Sequence, residues 1–491
     1  MRYSIAVLIL FGFLLLAVRS AQTKEPWEDE SWFGTATFHL AETGSLATDV
    51  LEGAGTWRAG MRRHFYWEPP LSFVVNAAVV KVFGFSLLTV RSVSIAFGLL
   101  AILSTFALVW KLTGSADIGL LAIALVSFDY FFLLGSSDGR MDAMCMALGL
   151  SGIASYVLLR DRSLAAAVVV SQTCVMASGL THPNGVIWFV GLLFITVGLD
   201  LKRLRPRTVA LACLPYIIGA AGWGAFIAQD PQDFKIQFLG NVQESGNSNG
   251  SLQHPLKNPL KAIGAEITER YAHPFGLAGA RSFVNRLKGL VLSAYLMALV
   301  VAIASRSIRH SAVGRCILTL IAIAFFMMTF VDGNKMSYYL IHITPLLAII
   351  TALVLWSAME RRGIAKWVAV GVAAGLVCLQ AGGVWYRIRE NTYQNMYLPT
   401  ISVIRMNTGA NDLIIGTSAL FWSLHTERTI LDDFRLGFYS HKQGDVIVLS
   451  PFYKALEAQA DGGFRSYLNR TLPLYDPVPF QGEYEILARK R

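Results

Sequence analysis

The sequence predicts a polytopic α-helical membrane protein with a small α/β domain at its C-terminal end. Three observations carry this. Only 15% of the 491 residues are charged, against 54% hydrophobic, where an ordinary soluble chain is about 25% charged. The mean hydropathy is +0.50, and apolar runs of about 20 residues, the length that crosses a bilayer, recur along the chain. After residue 385 the pattern changes to short strand-like runs separated by turn signals and polar helices.

The runs fall at 3–20, 88–110, 116–135, 140–159, 164–181, 185–199, 208–228, 287–305, 315–331, 337–357 and 366–385, which makes about eleven spans. The first, preceded by Arg2, reads as a retained signal anchor rather than a cleaved leader. The net charge of +10 is placed in short loops: Lys202, Arg203, Arg205 and Arg207; Arg306, Arg309 and Arg315; Arg361, Arg362 and Lys366. That is the positive-inside signature of a membrane protein, and it excludes a nucleic-acid-binding face. With those loops cytoplasmic, alternation puts 21–87, 229–286 and everything after 385 outside. The apolar segment 71–84 is too short to cross, and parity makes it a juxtamembrane helix in the interface. The expected organisation is thus a membrane domain over 1–385 and an extracytoplasmic α/β domain over 386–491.

In the last domain, Asp412-Leu413-Ile414-Ile415 and Asp445-Val446-Ile447-Val448-Leu449 read as buried strands, and Tyr453 to Ala460 as a helix. The five cysteines, Cys145, Cys174, Cys213, Cys316 and Cys378, lie in apolar runs without CxxC spacing. They form neither a disulfide framework nor a zinc knuckle. Asn249-Gly250-Ser251 and Asn469-Arg470-Thr471 are glycosylation triplets on the expected outer side, of use only to a host with that machinery.

Chemistry concentrates in the first outer loop. Glu25, Glu28, Asp29 and Glu30 follow the first span closely; Trp57-Arg58, Arg62-Arg63-His64 and Phe65-Tyr66-Trp67-Glu68-Pro69-Pro70 come later. A carboxylate there can take a proton from a hydroxyl, a contribution of about 10²–10⁴ in rate. Arginines such as Arg58 and Arg62 can hold a phosphate leaving group, and the aromatics suit both an interface and a sugar face. The plainer alternative is a solvated acidic loop beside an aromatic belt.

The order of motifs resembles that of polytopic GT-C glycosyltransferases, among them protein O-mannosyltransferases and the lipid A aminoarabinose transferases. Asp29-Glu30 after the first span is similar to their acidic pair. Glu68-Pro69-Pro70-Leu71, with a short helix ending Lys81-Val82-Phe83-Gly84, resembles their Pro-Pro-Leu motif and juxtamembrane helix. Arg91 and Ser94 resemble their Arg-x-x-Ser, Arg140-Met141-Asp142 their Arg-x-Asp, and Lys335 through Tyr338-Tyr339-Leu340 to Pro345 their Lys-x-x-x-Tyr-Leu…Pro. The likeness covers about 1–360. It departs at Glu68, where one branch has Lys and the other His, so neither branch's substrate carries over.

The resemblance implies a GT-C-like fold and transfer of a hexosyl or pentosyl unit from a polyprenyl-phosphate donor to a hydroxyl of lipid A or lipopolysaccharide, another glycan or a protein. Asp29 is the implied base, with Glu30 in support, and the mechanism is inverting. Lys335 and Arg140, near the outer ends of spans, are candidate ligands of the donor phosphate; snorkelling to the interface is their alternative. Tyr66, Glu68, Asp142, Tyr338, Tyr339 and His182 are candidate pocket residues. Asp129 receives no role. A divalent metal is left open, with Glu68, His254 and His273 as weak candidate ligands lacking HxxH spacing. A flippase for a lipid-linked sugar shares these features, but predicts charge through the midplane and internal repeats; the spans here are largely free of such charge and no repeat is seen. The bacterial inner membrane is the expected location.

Overall fold

The computed structural model describes residues 1–241, 256–278, 282–333 and 335–490. Asn249 and His254 lie outside them. The protein is a multi-pass membrane protein. Among the described residues nine helices are long and apolar enough to span: Arg2–Thr23, Leu87–Thr113, Asp142–Leu159, Leu164–Thr181, Gly185–Arg203, Pro206–Ile227, Phe283–Ala304, Ala312–Phe330 and Ile364–Asn407. The other two expected spans differ from simple crossings. The run 116–135 is a pair of helices, Ala116–Ser127 and Tyr130–Ser136, bent by 69°. The bend is built by Asp129, whose carboxylate accepts from Phe132 N–H at 2.9 Å and from Tyr295 Oη at 2.7 Å. A side chain that bonds backbone here competes with the helix ladder. The run 337–357 opens as a 3₁₀ turn, Ser337–His342, and becomes the helix Thr344–Met359 only after it. Leu71–Phe83 is the short apolar helix expected beside the membrane.

The chain forms two compact units. The first holds 1–20, 93–225 and 243–386. Its helices Asp142–Leu159 and Leu164–Thr181 form a hairpin, and Gly149 lets Trp188 approach so closely that a Cβ at 149 would fall on the indole. At the turn of that hairpin Arg160 pairs with buried Asp200 at 2.6 Å, and Arg203 joins the same carboxylate at 2.8 Å.

The second unit holds 21–92, 226–242 and 387–491, so the first expected outer loop and the start of the second share it with the C-terminal segment, while the rest of the second belongs to the first unit. Its five-stranded sheet has the order β2-β1-β3-β5-β4, with β1 Leu413–Gly416, β2 Thr429–Leu431, β3 Val446–Leu449, β4 Tyr475–Pro477 and β5 Glu485–Arg489. β1 runs parallel to β2 and β3, while β5 is antiparallel to β3 and β4. The expected helix at Tyr453 to Ala460 begins earlier, at Pro451, because Ser450 caps it. Leu436, Ile447, Leu449, Tyr453, Phe464 and Leu468 form the core on one face.

Asp432 fixes the helix Glu28–Thr43 within this unit. Its buried carboxylate accepts from Trp32 Nε1 at 3.0 Å, from Ser418 N–H at 2.9 Å and from the Tyr453 hydroxyl. A buried charge with this many donors is satisfied.

Candidate functional site

The helix Glu28–Thr43 starts with three carboxylates in its first turn, Glu28, Asp29 and Glu30, where the helix dipole favours negative charge. The three side chains have different surroundings. Glu30 is wholly buried against wholly buried Arg91. Its Oε2 accepts from Arg91 Nε at 3.0 Å, its Oε1 from Arg91 Nη2 and, at 3.3 Å, from Trp27 N–H. Arg91 spends its other donors on the carbonyls of Ala21, Lys24 and Glu25, at 2.7, 2.7 and 3.0 Å. A guanidinium has five N–H donors, and all five are used. Glu30 thus fixes the backbone around Asp29, in keeping with the supporting place expected of it. Glu28 accepts from Ser450 Oγ at 2.9 Å, and burial raises its pKa. Asp29 is half-buried, between these two anchored neighbours.

The other loop candidates separate in the same way. Tyr66 is buried, donating N–H to Gln237 Oε1 at 2.7 Å and its hydroxyl to Phe226 O at 2.8 Å. It holds the loop to the segment that carries Gln237 and Phe226. Arg58 is buried, with its guanidinium 3.9 Å from the Phe434 ring centroid and 4.6 Å from that of Trp32, within reach of cation–π attraction. Arg62 is exposed and pairs with Glu52 at 3.2 Å. Glu68 is half-buried at the start of the Leu71–Phe83 helix.

In the other unit, Arg140 donates Nε to Asp142 at 2.7 Å and lies 4.0 Å from the Tyr338 ring centroid. Tyr339 meets His182 Nε2 at 3.5 Å, and His182 Nδ1 accepts from Asn184 N–H at 3.1 Å. Burial pushes His182 down to about 4, against the opposing pull of Asp142, so the ring is neutral near pH 7. The structure thus brings Arg140, Asp142, Tyr338, Tyr339 and His182, each a candidate from the sequence, into one cluster.

It missed His342, which is wholly buried and accepts from Trp188 Nε1 at 3.4 Å through Nδ1. An indole only donates, so the proton of a neutral His342 sits on Nε2. That Nε2, Asp142 Oδ1 and Thr344 Oγ1 are buried with no hydrogen-bond partner among the described residues. His342 was hidden because the run 337–357 reads as continuous span.

Lys335 is engaged within its own unit. Its Nζ donates to the carbonyls of Met328, Thr329 and Asp332 at 2.8, 2.6 and 2.5 Å and stands 3.2 Å from Glu266. An ammonium has three donors, and all go to the C-terminal carbonyls and following turn of the Ala312–Phe330 helix, the end of a helix dipole that attracts a cation. Burial lowers its pKa, with Glu266 and Asp332 opposing. Lys335 thus caps the end of that helix. Glu266 and Arg270, which complete this network at 2.7 Å, belong to the segment 256–278 and were not singled out in the sequence. Of the weak metal candidates, His273 is exposed beside Glu269 at 3.6 Å, and His254 lies outside the described residues.

The fold is that of solved polytopic membrane enzymes of the GT-C kind, as the order of motifs led us to expect. The structure is similar to ArnT from Cupriavidus metallidurans bound to undecaprenyl phosphate, with a TM-score of 0.63 and 13% identity, over 98% of this chain and 97% of that one. It is also similar to the oligosaccharyltransferase of Archaeoglobus fulgidus in the apo form, with a TM-score of 0.56 and 13% identity, over 96% and 73%. The Archaeoglobus enzyme in complex with an inhibitory peptide and a dolichol-phosphate gives a TM-score of 0.51 at 12% identity, over 98% and 74%. At these identities the likeness is one of fold. No family model matches the sequence, and no curated protein does.

Proposed function

We propose that this protein is a glycosyltransferase that moves a sugar from a polyprenyl-phosphate carrier to an acceptor hydroxyl on the extracytoplasmic face of a bacterial inner membrane. The observation that carries the reading is the full-length likeness in fold to an enzyme solved with undecaprenyl phosphate. The dolichol-phosphate complex of a second similar structure supports the same class of donor.

Asp29 is the general base. The acceptor oxygen attacks the anomeric carbon, the bond from that carbon to the phosphate oxygen breaks, and the hydroxyl proton passes to the Asp29 carboxylate. The configuration inverts, and lipid phosphate leaves with its charge held by arginine. Arg140 is the first candidate for that task and Arg62 the second, since Lys335 and Arg58 are engaged elsewhere. His182, Tyr338, Tyr339 and Glu68 contribute to substrate binding. The acceptor class is a lipid A or lipopolysaccharide hydroxyl, another glycan or a protein side chain.

The test uses purified protein in lipid with a panel of radiolabelled polyprenyl-phosphate sugars and a membrane-lipid extract as acceptor. Label moves to acceptor with wild type, and Asp29→Asn lowers the rate about 10²–10⁴-fold without changing the melting temperature. Normal turnover in that variant removes Asp29 as base. No transfer from any donor, with donor translocated instead, removes the transferase reading.

A further inference from the structure

Within the second unit the loop 60–66 lies against the segment 226–242. Gln237 is fully buried and joins the two, donating Nε2 to Ala59 O at 3.1 Å and to His64 O at 2.9 Å while its Oε1 accepts from Tyr66 N–H. The joint gathers His64, Asp230 and Asp233, each with one nitrogen or carboxylate oxygen within 4.8 Å of the others. Asp233 is 3% exposed. Room for its carboxylate depends on Gly60, at φ +85°, where a Cβ would fall on that carboxylate.

Two further features suit this joint to a cation. The His64 ring stacks on Tyr66 at 5.4 Å, and its Nδ1 is buried without a hydrogen-bond partner among the described residues. A buried polar nitrogen left so is a cost the fold does not ordinarily bear. The two carboxylates meet a single guanidinium: Arg63 Nη2 bonds both oxygens of Asp233 at 2.8 and 2.9 Å, and its Nε stands 3.8 Å from Asp230. The Arg63 side chain is itself 63% exposed, so it can swing into water once an ion takes over its charge beside Asp233.

We propose that His64, Asp230 and Asp233 form a binding site for a divalent transition-metal ion, zinc by ligand type, in which Arg63 stands in for the ion when it is absent. One imidazole nitrogen and two carboxylate oxygens are a donor set zinc accepts, with a fourth position for water. Bonds of about 2 Å require ligand atoms about 3–4 Å apart, so small side-chain rotations close the present spread. The ion fastens 226–242 to the first loop. Neither Glu68 nor His273 takes part.

The test is calorimetric titration with zinc of the full-length protein in nanodiscs, stripped of metal by a chelator. One ion binds per chain. His64→Gln and Asp230→Asn each weaken binding at least tenfold, and Arg63→Ala tightens it, because the competing cation is gone. Cobalt in place of zinc gives a visible absorption that wild type and Arg63→Ala show and His64→Gln lacks. Should His64→Gln fail to fold, as judged by its metal-free melting curve, Arg63→Ala decides alone, since it keeps every ligand. Equal zinc affinity in wild type, His64→Gln and Asp230→Asn overturns the site. Binding no tighter in Arg63→Ala overturns the stand-in.

Discussion

Two buried arginine–carboxylate pairs, one in each compact unit, differ in what surrounds them. Around Arg91 and Glu30 every guanidinium donor has an acceptor, and both carboxylate oxygens are bonded. Beside Arg140 and Asp142 the polar groups are incompletely matched: Asp142 Oδ1, His342 Nε2 and Thr344 Oγ1 are buried and have no hydrogen-bond partner among the described residues. His182 and His342 both stand near enough to feel the Asp142 charge. A closed pair shapes the backbone around it. A pair set among unfilled donors and acceptors is suited to a polar guest, because only a guest or water relieves the cost of those groups.

The largest effect expected from this contrast is on stability. Arg91→Met leaves Glu30 buried without a counter-charge and three carbonyls without donors. Breaking a buried pair this way costs about 3–5 kcal/mol, a large part of a typical folding free energy of about 5–15 kcal/mol. The variant should fail to accumulate in membranes or melt far below wild type. Arg91→Lys should not rescue it, because three donors on a flexible stem cannot serve five acceptors. A melting curve like that of wild type in either variant would remove the distinction between the two pairs.

A smaller effect sharpens the contrast on the functional side. Arg140→Lys keeps the charge beside Asp142 but loses the planar group over Tyr338. It should raise the donor KM about tenfold or more, the worth of one charge-assisted hydrogen bond at about 1.5–3 kcal/mol, with little change in melting. Lys335→Met should do the reverse: a lower melting temperature from lost helix-end bonds, and an unchanged donor KM. If Lys335→Met raises KM at constant stability, the cap assignment is wrong and Lys335 returns as a phosphate ligand.

These two lysine and arginine positions also show how far the sequence could be read. Both sit at the edge of an apolar run, where a cation looks the same whether it snorkels, caps or binds phosphate. What separates them is non-local: Lys335 adopts a left-handed backbone at φ 51° and meets Glu266 from a distant segment, and neither is encoded in local spacing. The spans, the helix Leu71–Phe83 and the strands β1 and β3 were legible because apolar length and alternation are local properties. The bend at Asp129 was not, because one polar residue in a long apolar run does not show that it will bond backbone. Arg91 could be placed in a motif, yet its five acceptors come from residues before and after the turn at Pro26, which only folding brings together. Nor could the sequence show that 21–92 and 226–242 form one compact unit with 387–491. The His64, Asp230 and Asp233 group follows from that long-range pairing and has no sequence signature.

The smallest expected effect concerns the entrance to the Glu28–Thr43 helix. Burial, aided by Glu483, raises Glu25 from 4.5 to about 7, while the Tyr484 hydroxyl bonds it at 3.4 Å. A carboxyl with a folded-state pKa above its unfolded one binds more protons when folded. By linkage, stability then falls as pH rises from about 4.5 through about 7, and the penalty is fully present above that window. Glu28, raised in the same direction by burial, adds to the trend. The side chain is partly open to water, so the shift in melting temperature should be modest. Glu25→Gln removes the titrating group and should flatten the melting temperature between pH 5 and 8 relative to wild type, with the larger gain at the alkaline end. A variant that keeps the wild-type slope would place the titration on Glu28 instead. One that gains stability only at the acid end would reverse the sign of the linkage and remove burial as the cause.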